Sequence, residues 1–379
     1  GVSVNLSSGE KVLSAQMGVA WSATSKIGSI AFVDEEDSDH LKTRGFKIGS
    51  FAYDGSFSVP NSQRDIVTHA VKNANVAWDA TNDKFCYVYQ SDTDNETYFT
   101  FASPDADNVA YITDPGSALA INTSTSYYPR ICDAGSGRMA TCIYNSSGVA
   151  VRMFSWNGSA YTQGGEAFVE NSSANYQDIC YHKSEGKLVV AYRHSNDSYK
   201  GKVKIGTISG SGSSMSTSWG TAVTFDAENC QGMRVAVEEK TNKVVIVYLR
   251  VTGTNSDKWH LVAGTISGTG ITFGTPVMMV SINYFANPSI AQPAITYLPG
   301  IEELAVSITV NNGGANQRVY TPSLSGTTIT VGGDIDLFQV HSGTENYLRY
   351  QDMVAITKTD GSSGSESKLI LVGKNEHDS

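Results

Sequence analysis

Apolar and polar residues alternate along this chain with a period of two, in short runs rich in Val, Ile, Tyr and Phe, and Gly, Ser, Asn and Asp fill the gaps between runs. That alternation is a strand signal, and no stretch of helix length carries a competing 3.6-residue period. The runs recur. Gly206-Thr207-Ile208-Ser209-Gly210 returns unchanged 58 residues later as Gly264-Thr265-Ile266-Ser267-Gly268. Ser267 to Gly274 returns at Ser325 to Gly332, again 58 residues on, with six of eight positions identical. A fixed period of this kind points to a repeat architecture.

A second phrase sets the number of units. A short strand, a polar turn and a longer apolar strand ending near Tyr run from Ile179 to Tyr192, from Val235 to Tyr248 and from Val76 to Tyr89. Weaker copies are centred on Ala20, Cys132, Ala294 and Val354, so the anchors 20, 77, 132, 180, 236, 294 and 354 divide the chain into seven units. Each unit reads as four strands, the fourth carrying a Gly or Pro kink as in Ile271 to Met279. Four-stranded units repeated four to eight times build a β-propeller. The expected fold is therefore all-β: one seven-bladed β-propeller over residues 1–379, with blades starting near 17, 74, 129, 177, 233, 291 and 351. Residues 1–14, and Val2 to Leu13 in particular, are expected to complete the last blade and close the ring, which removes a free edge.

Composition narrows the partners. With 27 basic and 37 acidic side chains the net charge is −10, which disfavours nucleic acid. The longest apolar runs fall far short of the roughly 18 residues a spanning helix needs, so no membrane insertion is expected. The chain opens on strand-like residues with no basic, apolar leader, and reads as mature or non-secretory. Cys86, Cys132, Cys142, Cys180 and Cys230 include no CxxC pair, and they read as free, small core residues apart from Cys230, which falls in an apparent loop.

Two groups of residues carry candidate chemistry. The loops after the second strands of the first two units are acidic, and Asp34, Asp37, Asp39, Asp92 and Asp94 supply the oxygens a Ca²⁺ site needs, the only cofactor this sequence suggests; the other reading is a solvated acidic face. Tyr-Gln-Asp occurs twice at the entry to a first strand, as Tyr176-Gln177-Asp178 and Tyr350-Gln351-Asp352, with Tyr128-Pro129-Arg130 in the same slot of another unit. Tyr176, Asp178, Tyr350 and Asp352 would there stack on and hydrogen-bond a sugar, or else Asp caps neighbouring amides while Tyr packs between blades. Arg193, His194 and Tyr199 lie in or beside a loop on that same face, and suit either a ligand carboxylate or a lyase-like His/Tyr pair.

The phrase Gly186-Lys187-Leu188-Val189-Val190-Ala191-Tyr192-Arg193 followed by Ile205 to Gly210, and Lys243 to Tyr248 followed by Ala263 to Val277, resembles repeats of marine bacteriophage (cyanophage-like) tail-fibre and other virion proteins. The likeness is strongest over the fourth and fifth units. It implies a virion surface protein, a tail fibre, spike or head decoration, acting as an adhesion or receptor-binding module for a host-surface glycan. It also implies contact with other virion proteins and a possible homo-oligomer. The competing expectations are a polysaccharide lyase or glycoside hydrolase on the same scaffold, and a secreted bacterial lectin.

Overall fold

A computed structural model describes residues 17–34, 37–48, 57–59, 62–108, 110–122, 124–281, 292–311, 315–336, 348–357 and 367–375. Residues 1–14, expected to close the ring, lie outside these. The all-β expectation holds: the described elements are antiparallel strands and a single 3₁₀ turn at Gly212–Ser214. Among the described residues no helix is long and apolar enough to cross a membrane.

Among the described residues the first six units are up-and-down sheets, and the seventh contributes the pair Leu348–Thr357 and Ser367–Asn375. The third is the simplest, with Ser126–Asp133, Arg138–Asn145, Gly148–Trp156 and Tyr161–Glu170 paired in sequence order. In the fifth, Val223–Glu238, Lys243–Arg250 and Lys258–Ser267 are followed by a fourth strand broken at Gly274-Thr275-Pro276 into Gly270–Phe273 and Val277–Met278. All seven anchors fall in first strands, namely Gly18–Ser22, Arg64–Asp79, Ser126–Asp133, Ala174–His182, Val223–Glu238, Ala294–Leu298 and Leu348–Thr357. The repeated Gly-Thr-Ile-Ser-Gly phrase is explained by close approach: a Cβ on Gly206 would sit 2.6 Å from the Trp219 ring, and one on Gly264 2.8 Å from Phe273.

Two first strands are longer than their phrase. Val223–Glu238 begins as the last strand of the fourth unit, where Asp226 pairs Gly201, and continues as the first strand of the fifth, where Ala236 pairs Val245. Arg64–Asp79 joins the first and second units in the same way. Cys230 therefore lies within a strand, opposite Arg250 and fully buried, and not in a loop.

The core lies between units. Ala20, Val33 and Leu41 of the first unit pack against Val76, Phe85 and Tyr87 of the second. Similar layers join each later pair in turn. A further layer sets Ile356 and Val372 of the seventh unit against Val19, Trp21, Ile30, Phe32 and Phe46 of the first. Every first strand packs beside the next, and Leu348–Thr357 packs beside Gly18–Ser22.

Candidate functional site

A bulge recurs where the chain enters a first strand. The register shifts between Asn175 and Asp178, between Gln231 and Arg234 and between Arg349 and Asp352. At the matching place, four residues before the anchor, Tyr128, Tyr176 and Gly232 take φ of 53°, 53° and 54°. Glycine accepts that left-handed conformation freely, whereas for a bulky side chain it is a strained outlier of the kind that gathers at functional sites. The Tyr-x-Asp and Tyr-x-Arg slots are thus bulge sequences. The residue two positions on, Arg130, Asp178 or Asp352, lines the cavity where the first strands converge, while Tyr128 and Tyr176 stand outside that lining, at the rim.

Asp178 and Asp352 line this cavity. Among the described residues the first strands have no partner strand on the edge facing it, and the amides there need acceptors. Asp178 Oδ2 accepts from Val235 N at 2.8 Å, Asp352 Oδ2 from Val19 N at 3.1 Å, and Asn75 Oδ1 from Ile131 N at 3.4 Å, in each case in the next unit. Arg130 donates to Gln292 Oε1 at 2.7 Å, Arg234 donates to the same oxygen, and Arg130 Nε lies 3.9 Å from Asp178. Burial outweighs the pull of Arg130 and pushes Asp178 up to about 7 and Asp352 up to about 6. This layer bounds a cavity of about 490 Å³ lined further along by Trp21, Trp78 and Asp133. For these two carboxylates, amide capping is what the geometry displays.

Tyr176, Arg193 and Tyr199 do come together. Tyr199 lies in the turn at 195–199 between Lys187–His194 and Lys200–Ser209, with φ of 61°, and its carbonyl accepts from Cys230 N at 3.0 Å. The guanidinium carbon of Arg193 stands 4.6 Å from the Tyr176 ring centre and 4.8 Å from that of Tyr199, so the cation is held between two tyrosines. Its Nε donates to Asn175 Oδ1 at 2.7 Å. Gln177 Nε2 donates to the carbonyls of Tyr127 and Tyr128 at 3.1 and 2.8 Å, tying the third-unit bulge to the fourth. Tyr127 adds ring contacts to Tyr128 and Tyr144 at 6.4 and 5.8 Å.

Tyr127, Tyr128 and Tyr199 are 40%, 38% and 45% exposed, three of the four large hydrophobic side chains so exposed among the described residues. Strained backbone, exposed rings and a stacked cation coincide at one place on the rim. Tyr127, Tyr144 and Asn175 belong to this group although the sequence does not single them out. The signal for Tyr128 was its place in the Tyr176 slot. The side chain of Tyr350 lies outside the described residues.

His194 faces elsewhere. Strand alternation points it away from Arg193, and its Nε2 lies 3.0 Å from Ser172 Oγ and 3.7 Å from Glu170 Oε2, beside Tyr192. The lyase-like pairing of His194 with Tyr199 is not assembled.

The acidic loops are occupied from within. Lys42 Nζ lies 2.9 Å from Asp34, 2.7 Å from Asp37 and 3.9 Å from Asp65, where a bound cation would sit. Asp92 pairs with Lys72 at 2.5 Å, and Asp94 accepts from Tyr98 Oη at 2.7 Å and Glu96 N at 2.9 Å. The backbone of Asp39 turns the first loop at φ of 62° and its carbonyl accepts from Val71 N. The group with ligand atoms close together is Asp37, His40 and Asp65, without Asp92 or Asp94.

No protein-family model matches the chain, and no curated protein matches it. Among solved structures it is similar to AofleA from Arthrobotrys oligospora, at 9% identity and a TM-score of 0.48, covering 86% of this chain and 91% of that one. It is also similar to a fucose-specific lectin from Aleuria aurantia, at 12% identity and 0.46, covering 88% and 100%. A putative 6-phosphogluconolactonase from Bacteroides uniformis matches at 9% and 0.48, covering 96% and 95%. At these identities and scores none of the three decides what this chain binds.

Proposed function

We propose that the chain is a closed seven-bladed β-propeller that binds carbohydrate at the tyrosine rim of its third and fourth blades, and that it works on the surface of a bacteriophage particle. Ring closure is supported by the packing of Ile356 and Val372 against the first unit. Carbohydrate binding is carried by one observation: Tyr127, Tyr128 and Tyr199 stay exposed around an Arg193 clamped by Tyr176 and Tyr199, with Asn and Gln amides alongside. Rigid tyrosine faces offer stacking area at low entropic cost, and neighbouring amides supply the hydrogen bonds a sugar needs. The phage setting is supported by the repeat phrase alone. Several copies on one particle would raise a weak affinity by roughly 10²–10⁴ in avidity.

A glycan array followed by titration of the best ligand tests the reading. Wild type should bind at least one glycan class, and Tyr199→Ala and Tyr128→Ala should each weaken it. The virion role predicts that purified protein slows phage adsorption to host cells. Binding to no glycan, together with a tight complex to another virion protein, would replace the adhesin by a structural component.

A further inference from the structure

We infer that the rim selects acidic saccharides, and that the end-on face of the Arg193 guanidinium receives the sugar carboxylate. This rests on the carbohydrate reading above and names the ligand class of that site. The chain carries ten more acidic than basic side chains, and several of its half-buried cations are paired. Lys42 meets Asp34 and Asp37, Arg250 meets Asp226, Lys202 meets Asp197, and Arg152 faces Glu166. Arg193 has no such counter-ion: among the described residues no carboxylate lies within ion-pair distance of it, and its surroundings are Tyr176, Tyr199 and the Asn175 amide.

The side chain is nevertheless fixed. Contact with two rings confines the guanidinium, and the Nε bond to Asn175 uses its inner donor, so Nη1 and Nη2 remain as the donors to offer a ligand. Such a pair matches the two oxygens of a carboxylate, and its orientation is paid for before the ligand arrives. Tyr199, partly exposed beside it, offers its ring to the pyranose face. A neutral sugar would use the stacking surface and leave the cation without a counter-charge. A uronate uses both.

Titrations with oligosaccharides of polygalacturonate, alginate and glucuronan, each beside its carboxyl-reduced counterpart, test this on the intact chain. At least one acid form should bind more tightly than its reduced form by about 10- to 100-fold, the range expected for a hydrogen bond to a charged group. Arg193→Gln should weaken the acid form more than the reduced form and so abolish that preference, while Arg193→Lys, which keeps charge but loses the fork, should recover it only in part. Melting curves of both variants establish that they fold. Equal affinity for acid and reduced forms in wild type, or equal weakening of both by Arg193→Gln, overturns the acidic selectivity and leaves carbohydrate binding standing. A rim that binds neither these nor any array glycan overturns both.

Discussion

Closure of the ring predicts that Ile356→Ala is as damaging as a substitution deep inside the chain. Ile356 is fully buried in the layer between the seventh and first units, with Val372, Ile30, Phe32 and Phe46. Truncating a buried Ile removes transfer free energy and leaves a cavity, at a cost of about 2–5 kcal/mol. With an unfolding entropy of ~2.1 cal/mol/K per residue, 379 residues give roughly 0.8 kcal/mol/K, so the melting temperature should fall by about 3–6 °C. Ile308→Ala is the matched control, since Ile308 is equally buried in the layer between the fifth and sixth units. Scanning calorimetry should give one cooperative transition with similar shifts for both variants. A shift below about 1 °C for Ile356→Ala beside a full shift for Ile308→Ala would mean that the seventh and first units do not share the cooperative core, and the closure argument would fail.

Three further outcomes follow from the buried charges. Asp178 and Asp352, raised to about 7 and about 6 from an ordinary unfolded value near ~3.9, keep protons in the folded chain that the unfolded chain releases. Their contribution is fully present below about pH 4 and is lost as pH rises through about 6–7, by a few kcal/mol in order of magnitude. Urea midpoints should fall between pH 5 and pH 8 and Asp178→Asn should flatten the fall, whereas a midpoint that rises over this range contradicts the assignment. Lys42→Met removes the cation from the buried Asp34 carboxylate, which keeps Gln63 Nε2 at 3.3 Å, and should cost about 3 kcal/mol. Because Lys42 already fills the acidic cluster, melting curves of wild type in EDTA and in Ca²⁺ should coincide; a Ca²⁺-dependent rise would show that the loops take the ion.

The strand units were legible because a half-buried sheet writes its period of two directly into the sequence, and because Gly206 and Gly264 face aromatic rings that forbid a side chain. Less legible was the continuity of Val223–Glu238. Its middle, Glu228-Asn229-Cys230-Gln231-Gly232, has turn composition, yet Gly232 forms a bulge and the strand continues through it. That one misreading placed Cys230 in a loop. The rim was half visible: Tyr176, Arg193 and Tyr199 were candidates, but which face His194 takes depends on strand register, and residues adjacent in sequence point to opposite sides. Tyr127 and Tyr144 join the site through packing between units, which no local pattern records. The acidic loops looked like a cation site because Lys42, their counter-ion, lies on the strand beyond the turn.

Tyr176 offers the most direct test of the rim. Its left-handed backbone costs roughly 1–2 kcal/mol for a residue with a Cβ, a strain that Gly escapes, while Gly itself loses about 0.5–1 kcal/mol through unfolded-state entropy. The ring also packs against the layer between the fourth and fifth units and lies over Arg193, so the packing lost in Tyr176→Gly offsets the strain relieved. Titrating the best array glycan into wild type and Tyr176→Gly, with a melting curve of each to establish that both fold, should show an affinity at least tenfold weaker for the variant. Unchanged affinity in a folded Tyr176→Gly variant would contradict the claim that this tyrosine rim is where the protein meets its ligand.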